Sequence, residues 1–302
     1  MSTPPPLERW ALSRALTRMA NASTAELARS APRVWPKHSA HRIGVTGAPG
    51  AGKSTLVGHL ALERLPKGRL GVLAVDPSSP KSGGAILGDR VRMDDLDGSS
   101  ELYIRSLGSR RTSDGLADNL PEMLDIMDEF GFDEVVLETV GVGQAEYAVR
   151  AQVDTLVLVL LPESGDTVQA MKAGIMEMAD IFVVNKSDLP GAQRMATDIQ
   201  RIAAVTHRPE GAWRAPILLT SASQPASIRA LSEAIDLHRT WRNADPQRRQ
   251  HLRAQRARYR LRRLLEMRVA EAIADQADDF FDIPREQQLA TVMGAMRMAL
   301  DP

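Results

Sequence analysis

The chain has 302 residues, with 38 Lys and Arg against 38 Asp and Glu, so its formal net charge is zero. A neutral chain lacks the surplus positive charge that neutralises nucleic-acid phosphates, and the absence of cysteine excludes disulfides, thiolate zinc sites, iron–sulfur clusters and a cysteine nucleophile. The longest aliphatic run, residues 156–161, is far shorter than the roughly 20 residues of a membrane-spanning helix, so we expect a soluble cytoplasmic protein with neither nucleic acid nor membrane as a partner.

The first part of the chain, residues 1–38, begins with a run of prolines and then becomes amphipathic. Its apolar spacing predicts helices over residues 7–20 and 25–29, which end before Pro32 and Pro36. No catalytic motif falls in this part. We interpret it as an N-terminal helical extension.

The central part, residues 39–244, alternates short aliphatic runs with longer amphipathic stretches. This alternation is typical of a mostly parallel sheet with helices on both faces, and it predicts an α/β fold. The predicted strands are residues 43–47, 71–75, 134–138, 155–161, 181–185 and 217–220. The predicted helices are residues 55–65, 117–130, 166–178, 192–205 and 227–241.

The last part, residues 245–302, carries no strand signal. It predicts one long helix over residues 248–274 and a second from Pro284 to about residue 300. Apolar side chains on such a helix need a surface, which either the central domain or a second copy of the chain supplies. Because acidic residues directly follow its arginines and aromatic residues are scarce, we interpret this part as a dimer arm or a solvated helix and not as an RNA-binding helix.

The clearest motif is GAPGAGKS at residues 47–54, which matches G-x-x-x-x-G-K-[ST] in full and lies between a predicted strand and a predicted helix. In such a loop, backbone N–H groups and the helix N-terminus face phosphates, the lysine reaches the β and γ oxygens, and the hydroxyl binds Mg²⁺. We therefore assign Lys53 a catalytic role and Ser54 a metal-binding role. The predicted nucleotide-binding residues here are Gly47, Ala48, Pro49, Gly50, Ala51, Gly52, Lys53, Ser54 and Thr55.

A second motif, NKSD at residues 185–188, follows a later aliphatic strand and matches the N-K-x-D pattern of guanine-binding sites. We predict that Asn185 and Lys186 belong to the base site and that Asp188 accepts hydrogen bonds from guanine N1–H and the 2-amino group. Adenine lacks this pair of donors and would leave the carboxylate unpaired. Ser221 and Ala222, after the last predicted strand, are candidates to donate backbone N–H to the guanine oxygen.

Three acidic residues lie where a metal ion or the attacking water belongs. Asp76 and Glu138 end predicted strands, and Asp89 lies in a glycine-rich segment. Ligand-binding groups of parallel sheets come from the carboxyl ends of strands. Mg²⁺ needs only one or two carboxylates, so the three are candidate catalytic and metal-binding residues that cannot all be direct ligands.

Three further strings occur in order after the P-loop: DPSS at residues 76–79, ILGDRVRM at 86–93 and ETVGVGQ at 138–144. Together with the motifs above they resemble the MeaB/ArgK family, P-loop GTPases that are associated with methylmalonyl-CoA mutase and related to nickel-insertion GTPases. The resemblance extends from about residue 25 to residue 236. It implies a P-loop GTPase domain with an N-terminal helical extension and a C-terminal helical arm that forms a homodimer.

The resemblance also implies a function, which is to chaperone an adenosylcobalamin-dependent acyl-CoA mutase by gating cofactor loading and by protecting or reactivating the enzyme. It places Lys53 and Ser54 in the P-loop, Asp76 and Asp89 at the Mg²⁺, and Glu138 in switch II near the γ-phosphate and the metal. The expected ligands are GTP or GDP with Mg²⁺, and we expect no cobalamin to bind this chain directly. The resemblance allows an adenosyltransferase as a further partner.

Residues 162–172 resemble the family's additional switch, which responds to the mutase, with Asp166, Gln169 and Lys172 at the matching places. From the residues alone, the same segment is an ordinary strand-to-helix connection with Asp166 as N-cap. Residues 104–112 depart from the family because they carry three arginines. Mutases for isobutyryl-CoA or 2-hydroxyisobutyryl-CoA are therefore alternatives to methylmalonyl-CoA mutase.

Unaided hydrolysis is expected to be slow, because no glutamine stands at the usual water-orienting place and the sequence assigns no arginine finger. The main alternative function is a metallochaperone GTPase for nickel or cobalt insertion. The absence of cysteine and of a histidine-rich tract argues against it, since soft or imidazole ligands carry such metals. An ATP-dependent kinase of transport proteins is disfavoured by Asp188.

Overall fold

The computed structural model describes residues 6–29, 39–77, 99–109, 116–117, 119–139, 145–162, 177–205 and 211–298. Within these ranges the strands are β1 His41–Gly47, β2 Leu70–Pro77, β3 Leu102–Ser109, β4 Glu134–Glu138, β5 Thr155–Leu160, β6 Ile181–Asn185 and β7 Ile217–Thr220. The α-helices are α1 Arg9–Ala20, α2 Thr24–Ala28, α3 Lys53–Arg64, α4 Leu120–Glu129, α5 Ala145–Arg150, α6 Ala192–Val205, α7 Pro225–Asn243, α8 Pro246–Ala274 and α9 Arg285–Met298, with short 3₁₀ turns at Leu65–Lys67 and Asp278–Asp282.

The strands form one seven-stranded sheet in the order β3-β2-β4-β1-β5-β6-β7. Every strand pairing is parallel, so all carboxyl ends meet at one edge of the sheet. Strand β1 lies in the middle, and the chain continues to β2 on one side and later to β5 on the other. This is the point at which open α/β sheets bind ligands, and the P-loop follows β1 there.

The core lies on both faces of the sheet, because consecutive residues of a buried strand point to opposite faces. In β5, Leu156 packs in the cluster that includes α1, α4 and Tyr259 of α8, whereas Val157 packs in the cluster of α3 and α7. Helix α6 covers the outer end of the first face over β6. The predicted α/β architecture with a parallel sheet is therefore confirmed.

The predicted strands agree with the structure to within two residues at each end, and the predicted helices outside 166–178 to within three. The predicted helix over residues 166–178 lies outside the described residues except at its last two positions. The sequence pattern does not predict strand β3. It is an edge strand in which Ile104, Arg105 and Ser106 are all partly exposed, so it lacks the continuous apolar run that identifies the buried parallel strands.

One of the three arginines in the segment that departs from the family holds the N-terminal helix. Arg105 of β3 donates from its guanidinium to the Ser13 carbonyl and to Thr17 Oγ1 of α1, both at 3.0 Å. The other two, Arg110 and Arg111, lie outside the described residues. The structure thus gives Arg105 a role within the chain, in holding α1 against the edge of the sheet.

The long C-terminal helix α8 packs partly against the central part of the chain. Leu252, Arg256, Tyr259 and Arg263 are buried along one face, and Arg263 donates to the Ala117 carbonyl at 3.0 Å. Elsewhere in α8 and α9, large apolar side chains are exposed: Leu261, Leu265, Ile273, Leu289 and Met293. Among the described helices, none is both long and apolar enough to cross a membrane.

Candidate functional site

The P-loop depends on glycines where the backbone is crowded or left-handed. Gly47 has a φ of 145°, and a Cβ there would lie 2.0 Å from the Val159 carbonyl oxygen of β5. Gly52, the N-cap of α3, has a φ of 82°, and a Cβ there would lie 2.6 Å from Asn185 Nδ2. Since L-amino acids rarely adopt this conformation, glycine is required at both positions.

Lys53 is the first residue of α3, and its amino group is directed back into the P-loop. Its Nζ donates to the Gly47 carbonyl at 2.8 Å and to the Ala48 carbonyl at 3.0 Å. The side chain is buried, so its position is fixed by the loop itself. Phosphate oxygens bound by this loop would therefore meet a positively charged group that is already in place.

Ser54 and Glu138 come together at the carboxyl edge of the sheet. Ser54 Oγ donates to Glu138 Oε1 at 2.7 Å. Glu138 is buried at the end of β4 and pairs with Val45 of β1, two residues before the P-loop. A hydroxyl and a carboxylate oxygen at this distance are the hard oxygen ligands that Mg²⁺ takes in nucleotide-binding sites. The residues present therefore fit the predicted metal ion.

The other two predicted acidic residues are only partly described. The backbone of Asp76 lies near the end of β2, two residues beyond Ala74, which pairs with Glu138. The Asp76 side chain and all of Asp89 lie outside the described residues. In the part of the chain that the structure does describe, no three His, Asp or Glu side chains gather into a metal-binding cluster.

The base motif is joined to the P-loop through Asn185. Its Nδ2 donates to the Ala51 carbonyl at 2.8 Å, and its Oδ1 accepts a hydrogen bond from Thr220 Oγ1 at 2.9 Å. Lys186, in the left-handed region at φ 53°, donates from Nζ to the Gly50 carbonyl at 3.1 Å. Two loops more than 130 residues apart in the sequence thus form one unit.

Asp188 is held by the loop after β7. Its Oδ1 accepts a hydrogen bond from Ser221 Oγ at 2.7 Å, and Ser221 Oγ lies 2.9 Å from Ser223 Oγ. The Ser221 hydrogen bond lowers the pKa of the Asp188 carboxyl below its ordinary value. An exposed, ionised carboxylate with a fixed orientation is the acceptor that the pair of guanine donors requires.

These residues line a cavity of about 270 Å³ between the P-loop helix and the loops after β6 and β7. The sequence analysis missed three features of it: the anchoring of Asn185 by Thr220, the side-chain contact of Ser221 with Asp188, and His59 in the cavity wall. His59 lies four residues after Thr55, which also lines the cavity, so helical spacing from this predicted nucleotide-binding residue could have indicated its position. The lining residues are Gly52, Thr55, Leu56, His59, Asn185, Lys186, Asp188, Ser221, Ala222, Ser223 and Ile228.

The predicted partner-sensing residues Asp166, Gln169 and Lys172 lie outside the described residues. Strand β5, which leads into that segment, runs beside β1 and ends next to the P-loop: Val159 pairs with Gly47. The segment therefore begins close to the phosphate-binding loop. The role of its residues stays a prediction.

Comparison with known proteins gives a family. A family model described as methylmalonyl Co-A mutase-associated GTPase MeaB matches residues 12–278. A putative GTPase of Pyrococcus abyssi is 42% identical over 204 residues, which cover 67% of this chain and 63% of the relative. The mouse protein named methylmalonic aciduria type A homolog, mitochondrial, is 40% identical over 191 residues, covering 62% and 46%. The matched part spans less than two thirds of the length of these curated relatives.

Solved structures share this fold over most of the chain. The crystal structure of an LAO/AO transport system kinase is 26% identical with a TM-score of 0.70, covering 97% of this chain and 91% of that one. HypB from Helicobacter pylori in complex with nickel is 16% identical with a TM-score of 0.50, covering 76% and 96%, and it shows the fold alone. The extent of the family match, together with the joined P-loop and base motif, shows that the chain belongs to the family of the methylmalonyl-CoA mutase-associated GTPase MeaB.

Proposed function

We propose that this chain is a Mg²⁺-dependent GTPase that acts as a chaperone of an adenosylcobalamin-dependent acyl-CoA mutase. The observation that carries the GTPase assignment is the contact of Asn185 with the Ala51 carbonyl, which couples the base motif to the phosphate-binding loop. A single nucleotide can then contact both motifs at once. The family match over residues 12–278 supports the association with a mutase.

In this proposal the P-loop N–H groups and Lys53 bind the β- and γ-phosphates. Ser54 and Glu138, already 2.7 Å apart, would hold the Mg²⁺, which would neutralise charge on the phosphates when bound. Asp76 and Asp89 are further candidates near the metal and the attacking water. Because Glu138 would lie at the metal and not at the base, we expect it to contribute to hydrolysis more than to base recognition.

Guanine recognition is assigned to Asp188. Ser221 fixes one of its carboxylate oxygens at 2.7 Å and leaves the group exposed at the cavity. Two donors on the guanine edge satisfy this carboxylate, whereas adenine presents no such pair and would leave a charged group without its hydrogen bonds. Ala222 follows Ser221 in the cavity wall and remains the candidate donor to the guanine oxygen.

The partner assignment rests on the family. The matching family is named for methylmalonyl-CoA mutase, and the mouse relative is named for methylmalonic aciduria. We extend this to a role in gating cofactor loading and in protecting or reactivating the mutase, with residues 162–172 as the responsive segment. Methylmalonyl-CoA, isobutyryl-CoA and 2-hydroxyisobutyryl-CoA mutases are the candidate partners, and an adenosyltransferase is a further one.

We also propose that the chain forms a homodimer through its C-terminal arm. Leu261 and Leu265 of α8, and Leu289 and Met293 of α9, each expose between 47% and 66% of their surface. A twofold pairing of these helices would remove the apolar side chains from water. The metallochaperone alternative is less well supported, since the nickel-bound HypB resembles this chain in fold alone and the sequence contains no cysteine.

The test measures GTP and ATP hydrolysis by the purified full-length chain, with Mg²⁺ or with EDTA, in the absence and presence of each candidate mutase. We expect Mg²⁺-dependent hydrolysis of GTP, little of ATP, and at least tenfold stimulation by one mutase. Lys53→Ala serves as the inactive control. Equal use of ATP and GTP would contradict the base assignment. A full set of mutases without binding or stimulation would contradict the chaperone role and leave the GTPase assignment standing.

A further inference from the structure

Two buried threonines join the end of β1 to the end of β4, beside the candidate nucleotide site. Thr139 Oγ1 donates to Thr46 Oγ1 at 2.9 Å, and the two residues are 1% and 0% exposed. We call them the threonine pair. Thr46 directly precedes Gly47, the first residue of the P-loop, and Thr139 directly follows Glu138. The pair therefore connects the start of the phosphate-binding loop to the carboxylate that we assign to the metal.

The threonine pair extends the pairing of the two strands past the end of β4. The register pairs Val45 of β1 with Glu138, the last residue of β4. The Thr139 N–H then donates to the Val45 carbonyl at 3.1 Å, so Thr46 and Thr139 lie side by side at the next position. Their hydroxyl bond adds a directional side-chain contact where the regular pairing of β1 with β4 ends.

The hydroxyls lie on the face of the sheet opposite to Ser54 and α3. Consecutive residues of a strand point to opposite faces. Glu138 shares the face of Val136, which packs in the cluster of α3, whereas Thr139 shares the face of Leu137, which packs in the cluster of α4. Because both threonines are also buried, neither can touch a bound nucleotide or its metal ion. An effect of the pair on the site must pass through Glu138 and the P-loop.

Packing alone would favour valine at both positions. Buried strands of a parallel sheet are usually continuous aliphatic runs, and β4 is aliphatic between its two glutamates. Valine has nearly the shape of threonine, but it carries no buried hydroxyl that needs a partner. What the two hydroxyls add is direction, because a hydrogen bond with preferred distance and angles fixes both side chains and the offset between the strands.

Glu138 is the residue that requires such a fixed offset. Its Oε1 accepts the hydrogen bond from Ser54 Oγ at 2.7 Å, and Ser54 lies in the first turn of α3, directly after the P-loop. Mg²⁺ demands near-ideal octahedral geometry with oxygen ligands at about 2.0–2.1 Å. A shift of the end of β4 against the end of β1 would therefore move the carboxylate away from a metal ion that Ser54 and the phosphates hold.

We propose that the threonine pair positions the Glu138 carboxylate against the P-loop for Mg²⁺-dependent hydrolysis. Thr46 and Thr139 are positioning residues that act through Glu138, and they are not catalytic residues. This inference rests on the proposed GTPase function. It adds that a hydrogen bond outside the nucleotide site sets the geometry on the metal side of that site.

The experiment compares the full-length wild type with Thr139→Val, Thr46→Val and the double variant that carries both valines. A single valine leaves the other hydroxyl buried without its partner, whereas the double variant removes both hydroxyls and should be close to the wild type in stability. Urea unfolding measures this stability. The kcat and KM for GTP, together with the Mg²⁺ concentration that gives half the maximal rate, measure the positioning of Glu138.

We expect kcat to fall about fivefold in all three valine variants, which is the factor that one neutral hydrogen bond of ordinary strength supplies. The half-maximal Mg²⁺ concentration should rise, while GDP affinity measured in EDTA should stay unchanged, because the pair touches neither phosphates nor base. The double variant should be no slower than either single variant, since all three break the same bond. Thr139→Ser keeps a hydroxyl and should retain the wild-type kcat.

Thr24→Val is the matched control. Thr24 is 2% exposed and donates a hydroxyl hydrogen bond to Glu271, on helix α2 and away from the P-loop. This variant should lose stability as the single valine variants do and keep its kcat. If the single variants do not fold, the double variant decides.

A stable double variant with wild-type kcat and Mg²⁺ dependence would overturn the positioning role and leave the GTPase assignment standing. An equal loss of kcat in Thr24→Val would also overturn it, because the loss would then follow stability and not the position of Glu138. Absence of Mg²⁺-dependent GTP hydrolysis in the wild type would instead contradict the proposed function, and this inference with it.

Discussion

Acid should destabilise this protein through a buried chain of hydrogen bonds at the beginning of the sheet. His41 Nε2 lies 3.1 Å from Thr155 Oγ1, which lies 2.8 Å from His238 Nδ1, and His238 Nε2 lies 3.3 Å from Asp180. Every hydrogen bond in this series forms when both histidines are neutral, with His41 donating to Thr155, Thr155 to His238, and His238 to Asp180. Protonation of His238 at Nδ1 would remove the acceptor of the Thr155 hydroxyl, so His238 cannot become charged without disturbing this order.

The magnitude follows from the pKa values. An unfolded histidine has a pKa of about 6.5, whereas burial lowers that of His238 to about 4 and that of His41 to about 3 in the folded chain. Below pH 6.5 the unfolded state binds the extra proton, so stability falls as the pH falls towards the folded-state values. Between pH 7 and pH 5 this costs about 2 kcal/mol per histidine, at about 1.4 kcal/mol per pH unit.

The assay is urea unfolding at pH 7, 6 and 5, followed by tryptophan fluorescence. His238→Gln lowers the stability at pH 7 but should remove about 2 kcal/mol of the loss between pH 7 and pH 5. His251→Gln, at an exposed histidine of α8, is the control and should leave that loss unchanged. If His238→Gln and the wild type lost the same free energy of unfolding over this interval, the neutral hydrogen-bond chain would be refuted.

The nucleotide site gives three further predictions. Asp188→Asn should lower GTP affinity by roughly 100-fold or more and favour xanthosine triphosphate, because the amide can donate to the xanthine 2-oxygen; competition against a fluorescent GDP analogue measures both. Lys53→Ala should weaken GTP binding and hydrolysis together, whereas Glu138→Ala should chiefly lower turnover, by roughly 10- to 100-fold. Unchanged mutase-stimulated turnover in the Glu138→Ala variant would contradict the role assigned to Glu138. Replacing Gln169 and Lys172 by Ala should reduce stimulation of GTP hydrolysis by the mutase and leave basal turnover almost unchanged. Loss of basal turnover with proportional stimulation intact would instead assign these residues a catalytic role.

The fold and the central site could be predicted because their signals are local. Strands such as Glu134–Glu138 are continuous apolar runs with polar ends, and the P-loop and NKSD motifs are short strings with a fixed context. The structure adds the contacts that join these strings. The hydrogen bond from Asn185 to Ala51 links residues 134 positions apart, and no spacing rule predicts such a pair.

The features that escaped prediction depend on partners far away in the sequence. Strand β3 is recognised only by its pairing with β2. The role of Arg105 follows only from its hydrogen bond to Ser13 of α1, which lies 92 residues earlier in the sequence. In the same way, the sequence shows Arg256 only as one of many arginines in a basic helix, whereas the structure places its Nη2 3.0 Å from Asp154 Oδ1. The sequence offers many arginines and no indication of which carboxylate each will meet.

The C-terminal arm is where these distant contacts bear on stability. Tyr259 belongs to the hydrophobic core on one face of the sheet, and Leu252 is 8% exposed. Arg260 also lies 2.8 Å from Asp125 and 3.2 Å from Glu122 of α4. The first two thirds of α8 are therefore part of the central unit, whereas the apolar side chains of α9 are largely exposed.

Two truncations separate the roles of the arm in folding and in dimerisation. Ending the chain at Asp245 removes Leu252 and Tyr259 from the core, at about 2 kcal/mol each, and takes Arg256 from Asp154, at about 3 kcal/mol or more. The sum approaches the total stability of a domain, so we expect a chain that aggregates and does not bind GDP. Ending it at Asp275 keeps these contacts and should give a folded, GDP-binding protein whose dimerisation is weakened, as light scattering would show. A soluble, GDP-binding chain of residues 1–245 would contradict the assigned burial of α8, and a full-length protein that stays monomeric at micromolar concentration would contradict the dimer.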